Sequence, residues 1–215
     1  MNPERKVTKD KWADFNGFSP LITVFRNFHD LTPEIEFIIN NQTFPVVYKK
    51  NKFISSPLHR NKYIFLLLKG VARGYMKEEN KEITTWIASE YELVGNIRNL
   101  WEEDIDTEEY VQAIEDVIAI AVPHSMSRQL YLNFDIANYV GRKMTQIHYL
   151  AACERAYISR LQSAEKRYLR FTKSYPDLVN RVPLKHIASF LCMRLETLSR
   201  IRSKLTGIAA HKTNQ

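Results

Sequence analysis

The sequence predicts an α+β chain in which an N-terminal β-roll, or jelly-roll, is followed by a long linking helix and a small C-terminal helical unit. Three observations predict it. Between Thr43 and Val122, short strand-like runs alternate with turn-like segments at near-regular spacing. Past Pro123, apolar residues recur at helical spacing from Ile136 to Ala151. In the last quarter, two short apolar stripes separated by a break read as a helix–turn–helix. The expected division is residues 1–125, 126–154 and 155–215.

Leu21 to Phe28 and Pro33 to Asn40 read as short helices, the second with Thr32 as N-cap and Pro33 in its first turn. Strands are expected at 44–48, 63–68, 71–76, 82–87 and 110–114, with turns at Lys69-Gly70 and Glu78-Glu79-Asn80-Lys81. Ile136, Val140, Met144, Ile147, Leu150 and Ala151 form a stripe about 120° wide, which suits a dimer seam between a sensor-like domain and a DNA reader. Glu154 falls within that stripe, so the helix bends near Cys153 or the pairing ends there. Ser163 to Phe171 forms the next helix, stopped by Tyr175-Pro176.

Leu184, Ile187, Ala188 and Leu191 make the inward stripe of one short helix, and Leu198, Ile201 and Leu205 that of the next. On the second helix Glu196, Ser199, Arg200 and Ser203 share the opposite face. Arg200 can bond O6 and N7 of a guanine together, Glu196 can accept from a cytosine amino group, and Ser199 suits either kind of base edge. Thr197 belongs to the same helix, while Lys185, Arg202 and Lys204 are candidates for phosphate contacts. From Ala151 onward the chain holds 13 Lys+Arg against 4 Asp+Glu, whereas the first 150 residues hold 18 against 20. The basic excess is therefore confined to the segment with the reading helix, as expected for phosphate contact.

At 215 residues and 45% hydrophobic content the chain can bury a substantial core. No apolar run reaches the roughly 18 residues of a membrane span, and residues 1–14 show no signal-peptide pattern, so the expected location is cytoplasmic. Cys153 and Cys192 are the only cysteines, which rules out a disulfide framework and a four-cysteine cluster. The six histidines are scattered without a ligand-spaced pair. Neither a Gly-rich phosphate loop nor a Gly-x-Ser-x-Gly elbow occurs, so no enzymatic activity, metal or cofactor is expected.

The run Leu68-Lys69-Gly70-Val71-Ala72-Arg73-Gly74-Tyr75, the linking helix, Ala164-Glu165-Lys166-Arg167-Tyr168, Tyr175-Pro176, Arg181-Val182-Pro183 and Glu196-Thr197-Leu198-Ser199-Arg200 together resemble the Crp/Fnr family of bacterial transcription regulators. The resemblance spans about residues 20 to 205. It implies a cyclic-nucleotide-binding-like roll, a homodimer, sequence-specific binding of double-stranded DNA and RNA polymerase as a partner. An adaptor or small-molecule sensor with a vestigial helix–turn–helix is the alternative.

Several departures limit what the resemblance carries over. Relatives that bind cyclic AMP use a Gly-Glu pair for the ribose and an Arg-Ser pair for the phosphate. Here Gly95 is kept, but Asn96 replaces the Glu and Thr107-Glu108 replaces the Arg-Ser, leaving a degenerate pocket. Residues 102–109 carry six carboxylates, an unfavourable field for an anion, and lack calcium-loop spacing. The cluster-binding cysteines of Fnr are absent, and His29, His59, His124 and His148 have no pattern of haem ligands, so the effector is unknown. Cys192 stands where the turn usually has Gly, and Arg194 where Ser or Thr caps the reading helix. Thr206 to Gln215 is expected to be a frayed tail, too short for a wing hairpin.

Overall fold

The computed structural model describes residues 11–58, 61–95 and 107–212. Two prolines set the start of the first α-helices among the described residues, α1 (Pro20–Arg26) and α2 (Pro33–Gln42). Pro33 supplies helical φ where no N–H is needed, and Thr32 Oγ1 accepts from the Ile35 N–H at 3.4 Å.

Eight strands follow among the described residues: β1 (Phe44–Tyr48), β2 (Phe53–Ser55), β3 (Tyr63–Lys69), β4 (Ala72–Glu78), β5 (Lys81–Ala88), β6 (Leu93–Gly95), β7 (Tyr110–Ala113) and β8 (Val117–Pro123). They make two four-stranded sheets with orders β1-β8-β3-β6 and β2-β7-β4-β5, all pairings antiparallel. Phe65, Leu67, Val111, Ala119 and Ala121 fill the space between the sheets. Alternate residues of β3 and β8, Ile64, Leu66, Ile120 and Val122, point the other way into a second cluster with Leu21, Ile22, Ile35, Ile39, Met126 and Leu130. Both faces of this sheet are therefore buried, so β8 reads as an unbroken apolar run with no alternation to mark it as a strand. β2 and β6 also went unmarked, each being three residues long. Gly70, between β3 and β4, has φ +96, and a Cβ there would lie 2.5 Å from the Asp116 carbonyl, so this turn requires glycine.

The linking region is two helices, α3 (His124–Asn133) and α4 (Asp135–Arg160), where the sequence suggested one. Phe134 is extended between them: its N–H still bonds Leu130, while its carbonyl accepts from Ala137 and starts α4. At about 1.5 Å per residue α4 is about 39 Å long and continues past residue 154. The C-terminal unit comprises α5 (Ala164–Ser174), a single 3-10 turn at Pro176–Leu178, α6 (Leu184–Phe190) and α7 (Leu195–Lys212). Tyr168, Phe171, Val182, Ile187, Leu198 and Ile201 make its core, which also takes in Val71, Ile87 and Ile114 of the roll. One expectation is corrected here: the backbone past Leu205 continues as helix to Lys212 instead of fraying. Among the described residues no helix is long and apolar enough to cross a membrane.

Candidate nucleic-acid interface

The path from α6 into α7 is set by backbone hydrogen bonds. The Met193 N–H bonds the Ala188 carbonyl at 3.0 Å and the Cys192 N–H bonds the Ser189 carbonyl at 3.1 Å, the paired bonds that close a helix when the next residue is left-handed. Cys192 has φ +52, so it adopts the glycine conformation with a side chain, at a cost of about 1 kcal/mol. Arg194 then opens α7, its carbonyl accepting from the Leu198 N–H at 3.2 Å. Arg167 braces this corner, donating to the carbonyls of Leu161 at 2.8 Å and Cys192 at 3.4 Å.

With Leu198 and Ile201 buried, Glu196, Ser199, Arg200, Ser203 and Lys204 all lie on the exposed side of α7. Arg200 has no ion pair among the described residues. Thr197 is half-buried, and Lys185 on α6 is exposed. Lys204 forms a 3.0 Å ion pair with Glu165; both groups are solvated, so the pair is weak enough to open for another anion. Arg202 turns inward instead, its Nη1 3.4 Å from the Val179 carbonyl.

The α4 stripe divides in two. Val140 and Met144 are buried beside Leu130, Tyr131 and Leu93, and Ile136 is half-buried against the same cluster, whereas Ile147 is 50% and Leu150 58% exposed. Glu154, the polar residue within the stripe, has partners on α5: Arg170 Nε at 2.6 Å and Nη2 at 2.8 Å, and the Ser174 hydroxyl at 2.6 Å. The Arg170 guanidinium holds the Glu154 carboxyl down to about 2.

A cavity of about 630 Å3 lies between the roll and α4, bordered by Trp86, Glu92, Gly95, Glu109, His148 and Arg155. Thr107 and Glu108 also line it; Asn96, Arg98 and most of the acidic run fall outside the described residues. Glu109 accepts from the Trp86 indole at 2.7 Å, and burial raises the Glu92 carboxyl. Among the described residues that line the cavity, Glu92, Glu108 and Glu109 outnumber the one permanent cation, Arg155. The His148 imidazole is lowered by burial and by Arg155, His124 is buried, the His29 ring meets Tyr139 edge-on, and His59 lies outside the described residues. Among the described residues no three metal-ligating side chains cluster.

Sequence reasoning missed the seam between roll and C-terminal unit, where α6 lies on β5. The Thr84 N–H donates to Ser189 Oγ at 2.9 Å, and that hydroxyl donates to the Glu82 carbonyl at 3.1 Å. Arg73, 2% exposed, bonds Gln112 at 2.8 and 3.0 Å, Thr84 Oγ1 at 3.3 Å and the Glu82 carboxylate, and stacks on Tyr75. His186 is buried in this seam, and desolvation pushes its imidazole down to about 4, helped by Arg73 and Lys185 and opposed by Glu82. The folded protein thus prefers neutral His186, whereas an unfolded imidazole titrates near 6.5. This contribution is full above pH ~6.5 and is lost as pH falls toward 4. The melting temperature should fall between pH 6.5 and 4.5, and His186→Gln should flatten that slope; an unchanged slope would place the titrating group elsewhere.

Comparison with solved structures agrees with this architecture. The chain is similar to a protein assigned as a transcriptional regulator of the Crp/Fnr family from Eubacterium rectale, with a TM-score of 0.68 at 15% identity, covering 86% of this chain and 88% of that one. FixK2 from Bradyrhizobium japonicum gives 0.66 at 17% identity over 78% and 86% of the two chains, and a CooA variant from Carboxydothermus hydrogenoformans 0.63 at 16% over 87% and 84%. No family model matches the chain, and no curated protein is significantly similar in sequence. At these identities the likeness is one of fold: the chain has the Crp/Fnr fold, as the sequence resemblance implied.

Proposed function

We propose that this protein is a dimeric, sequence-specific DNA-binding transcription regulator that does not respond to cyclic AMP. The observation that carries the reading is the exposed Glu196, Ser199 and Arg200 face of α7, presented directly after a tight turn in a helix–turn–helix arrangement. Supporting it are the basic C-terminal segment and a fold shared with proteins described as transcription regulators. In this reading Arg200, Glu196 and Ser199 contact base edges while Lys204 and Lys185 contact phosphates. The exposed Ile147 and Leu150 form the dimer seam, and RNA polymerase is the downstream partner. No catalytic step belongs to it.

The test is selection of duplexes from random sequence, followed by fluorescence anisotropy at several salt concentrations. Arg200→Ala should cost about 1–3 kcal/mol per half-site and relax preference at one base pair. Lys204→Ala should weaken binding to all sequences alike and lower the salt slope by about one unit. If nothing is enriched over bulk DNA, or Arg200→Ala leaves the preference unchanged, the adaptor reading takes over.

The electrostatics of the cavity support the reading that cyclic nucleotides do not bind there. The cavity holds Glu92, Glu108 and Glu109, and Thr107-Glu108 stands where cyclic AMP-binding relatives carry Arg-Ser. An anion about 4 Å from a carboxylate is repelled by about 4 kcal/mol at an intermediate dielectric. Calorimetric titration with cyclic AMP or cyclic GMP should therefore show no heat of binding, and saturation at micromolar concentration would overturn this assignment.

A further inference from the structure

Arg181, in the loop before α6, joins the C-terminal unit to the roll through two carboxylates at once. Its Nη2 lies 2.6 Å and its Nη1 2.9 Å from the two oxygens of Glu90, while Nε at 3.1 Å and Nη2 at 2.8 Å engage the two oxygens of Glu115. Glu90 stands in the β5–β6 turn and Glu115 in the β7–β8 turn, and Glu90 also accepts the Gly70 N–H of the β3–β4 turn at 2.8 Å. One guanidinium thus gathers three turns at one end of the roll. Planar, two-sided pairing of this kind fixes direction as well as distance, which a single ammonium could not do.

Three residues, Leu161, Gln162 and Ser163, connect α4 to α5, and beyond this link the orientation of the C-terminal unit depends on its contacts with the roll, among them the core shared with Val71, Ile87 and Ile114. The Glu154 clasp on Arg170 and Ser174 holds α5 near this link, and the Ser189 hydroxyl ties α6 to β5. Arg181 holds the unit at a further point, on the turns of the roll. Glu90 is held down to about 2 by this pairing, and the Arg181 guanidinium is raised by the same contacts.

We propose that Arg181 is a positioning residue that fixes the orientation of α7 relative to α4 and the roll, and thereby sets the spacing between the two half-sites that a dimer can read. This rests on the DNA-reading dimer proposed above. Two reading helices meet successive major grooves only when their separation matches about one helical turn of DNA, so a pivoting unit tolerates spacings that a clamped one rejects.

The experiment uses the full chain and a duplex library carrying two copies of the selected half-site with every spacer length around the preferred one. Wild type should enrich a single spacing. Arg181→Ala should spread enrichment to neighbouring spacers, several-fold above wild type, while half-site sequence preference stays the same. Arg181→Lys should fall between the two. Glu90→Gln with Glu115→Gln keeps the shape of the contact while removing its charge, and should reproduce the spread even if Arg181→Ala is too unstable to assay. A merely structural role would weaken all spacings equally. Equal sharpness in wild type and variants, no spacing preference in wild type, or enrichment of single half-sites would each overturn the proposal with DNA reading intact; absence of any enriched half-site would instead remove the DNA reading on which it rests.

Discussion

Ile147→Glu combined with Leu150→Glu should convert the protein to a folded monomer and lower its affinity for a two-half-site duplex by at least about two orders of magnitude. Both side chains are about half or more exposed on α4, so the substitutions open no cavity in the core and should change the chain's own stability by about 0.5 kcal/mol. Across a two-fold seam they place four carboxylates in one apolar strip, and each close pair costs about 4 kcal/mol at an intermediate dielectric. Multi-angle light scattering of wild type and variant decides the matter. A variant that stays a folded dimer would locate the seam elsewhere. Val140 and Met144, although on the same sequence stripe, are unsuitable probes because both are buried within the subunit, and changing them would unfold what they pack against.

Phe171→Ala should destabilise the C-terminal unit by about 3–5 kcal/mol and abolish DNA binding. Phe171 is fully buried, with ring centroids of Tyr175 and Phe190 at 5.5 and 5.6 Å, so truncation leaves a void between α5 and α6 that neighbouring rings cannot fill without leaving each other. Hydrogen exchange should show lost protection in α5 to α7 and retained protection in β3 and β8, whose burial comes from other clusters. Uniform loss across the chain would mean that the two parts unfold as one.

What was legible in the sequence was what depends on near neighbours. Thr32 and Pro33 announce α2, the Leu68 to Tyr75 run announces the turn at Gly70, and the α7 face follows from i, i+3, i+4 spacing within one helix. Cys192 in a glycine position came instead from comparison with the family's pattern, and its positive φ agrees with it. The class of the fold and the order of its parts followed from such local signals. Features set by distant partners were not legible. β8 lacks alternation because a helical layer covers its second face, and the apolar α4 stripe gives no sign that it passes from buried at Met144 to exposed at Ile147. Glu154 announced itself as out of place without revealing Arg170 as the reason. Arg181 stood out only as part of the Arg181-Val182-Pro183 run, and nothing there revealed its partners, since Glu115 and Glu90 lie 66 and 91 residues away.

The seam beneath α6 also bears on how the protein can be dissected. A fragment ending at Arg160 would contain all eight described strands, yet Val71, Ile87 and Ile114 would lose the core they share with the reading unit, and Arg73 would lose the cover of α6 while keeping Gln112 and Thr84. Glu90 and Glu115 would be left without their shared cation. Such a fragment would keep its sandwich but expose a sticky apolar rim beside two uncompensated acids. The chain is modular in its order of elements, but its parts are not interchangeable cassettes: grafting this reading unit onto another roll would require carrying over β5 and three turns along with it.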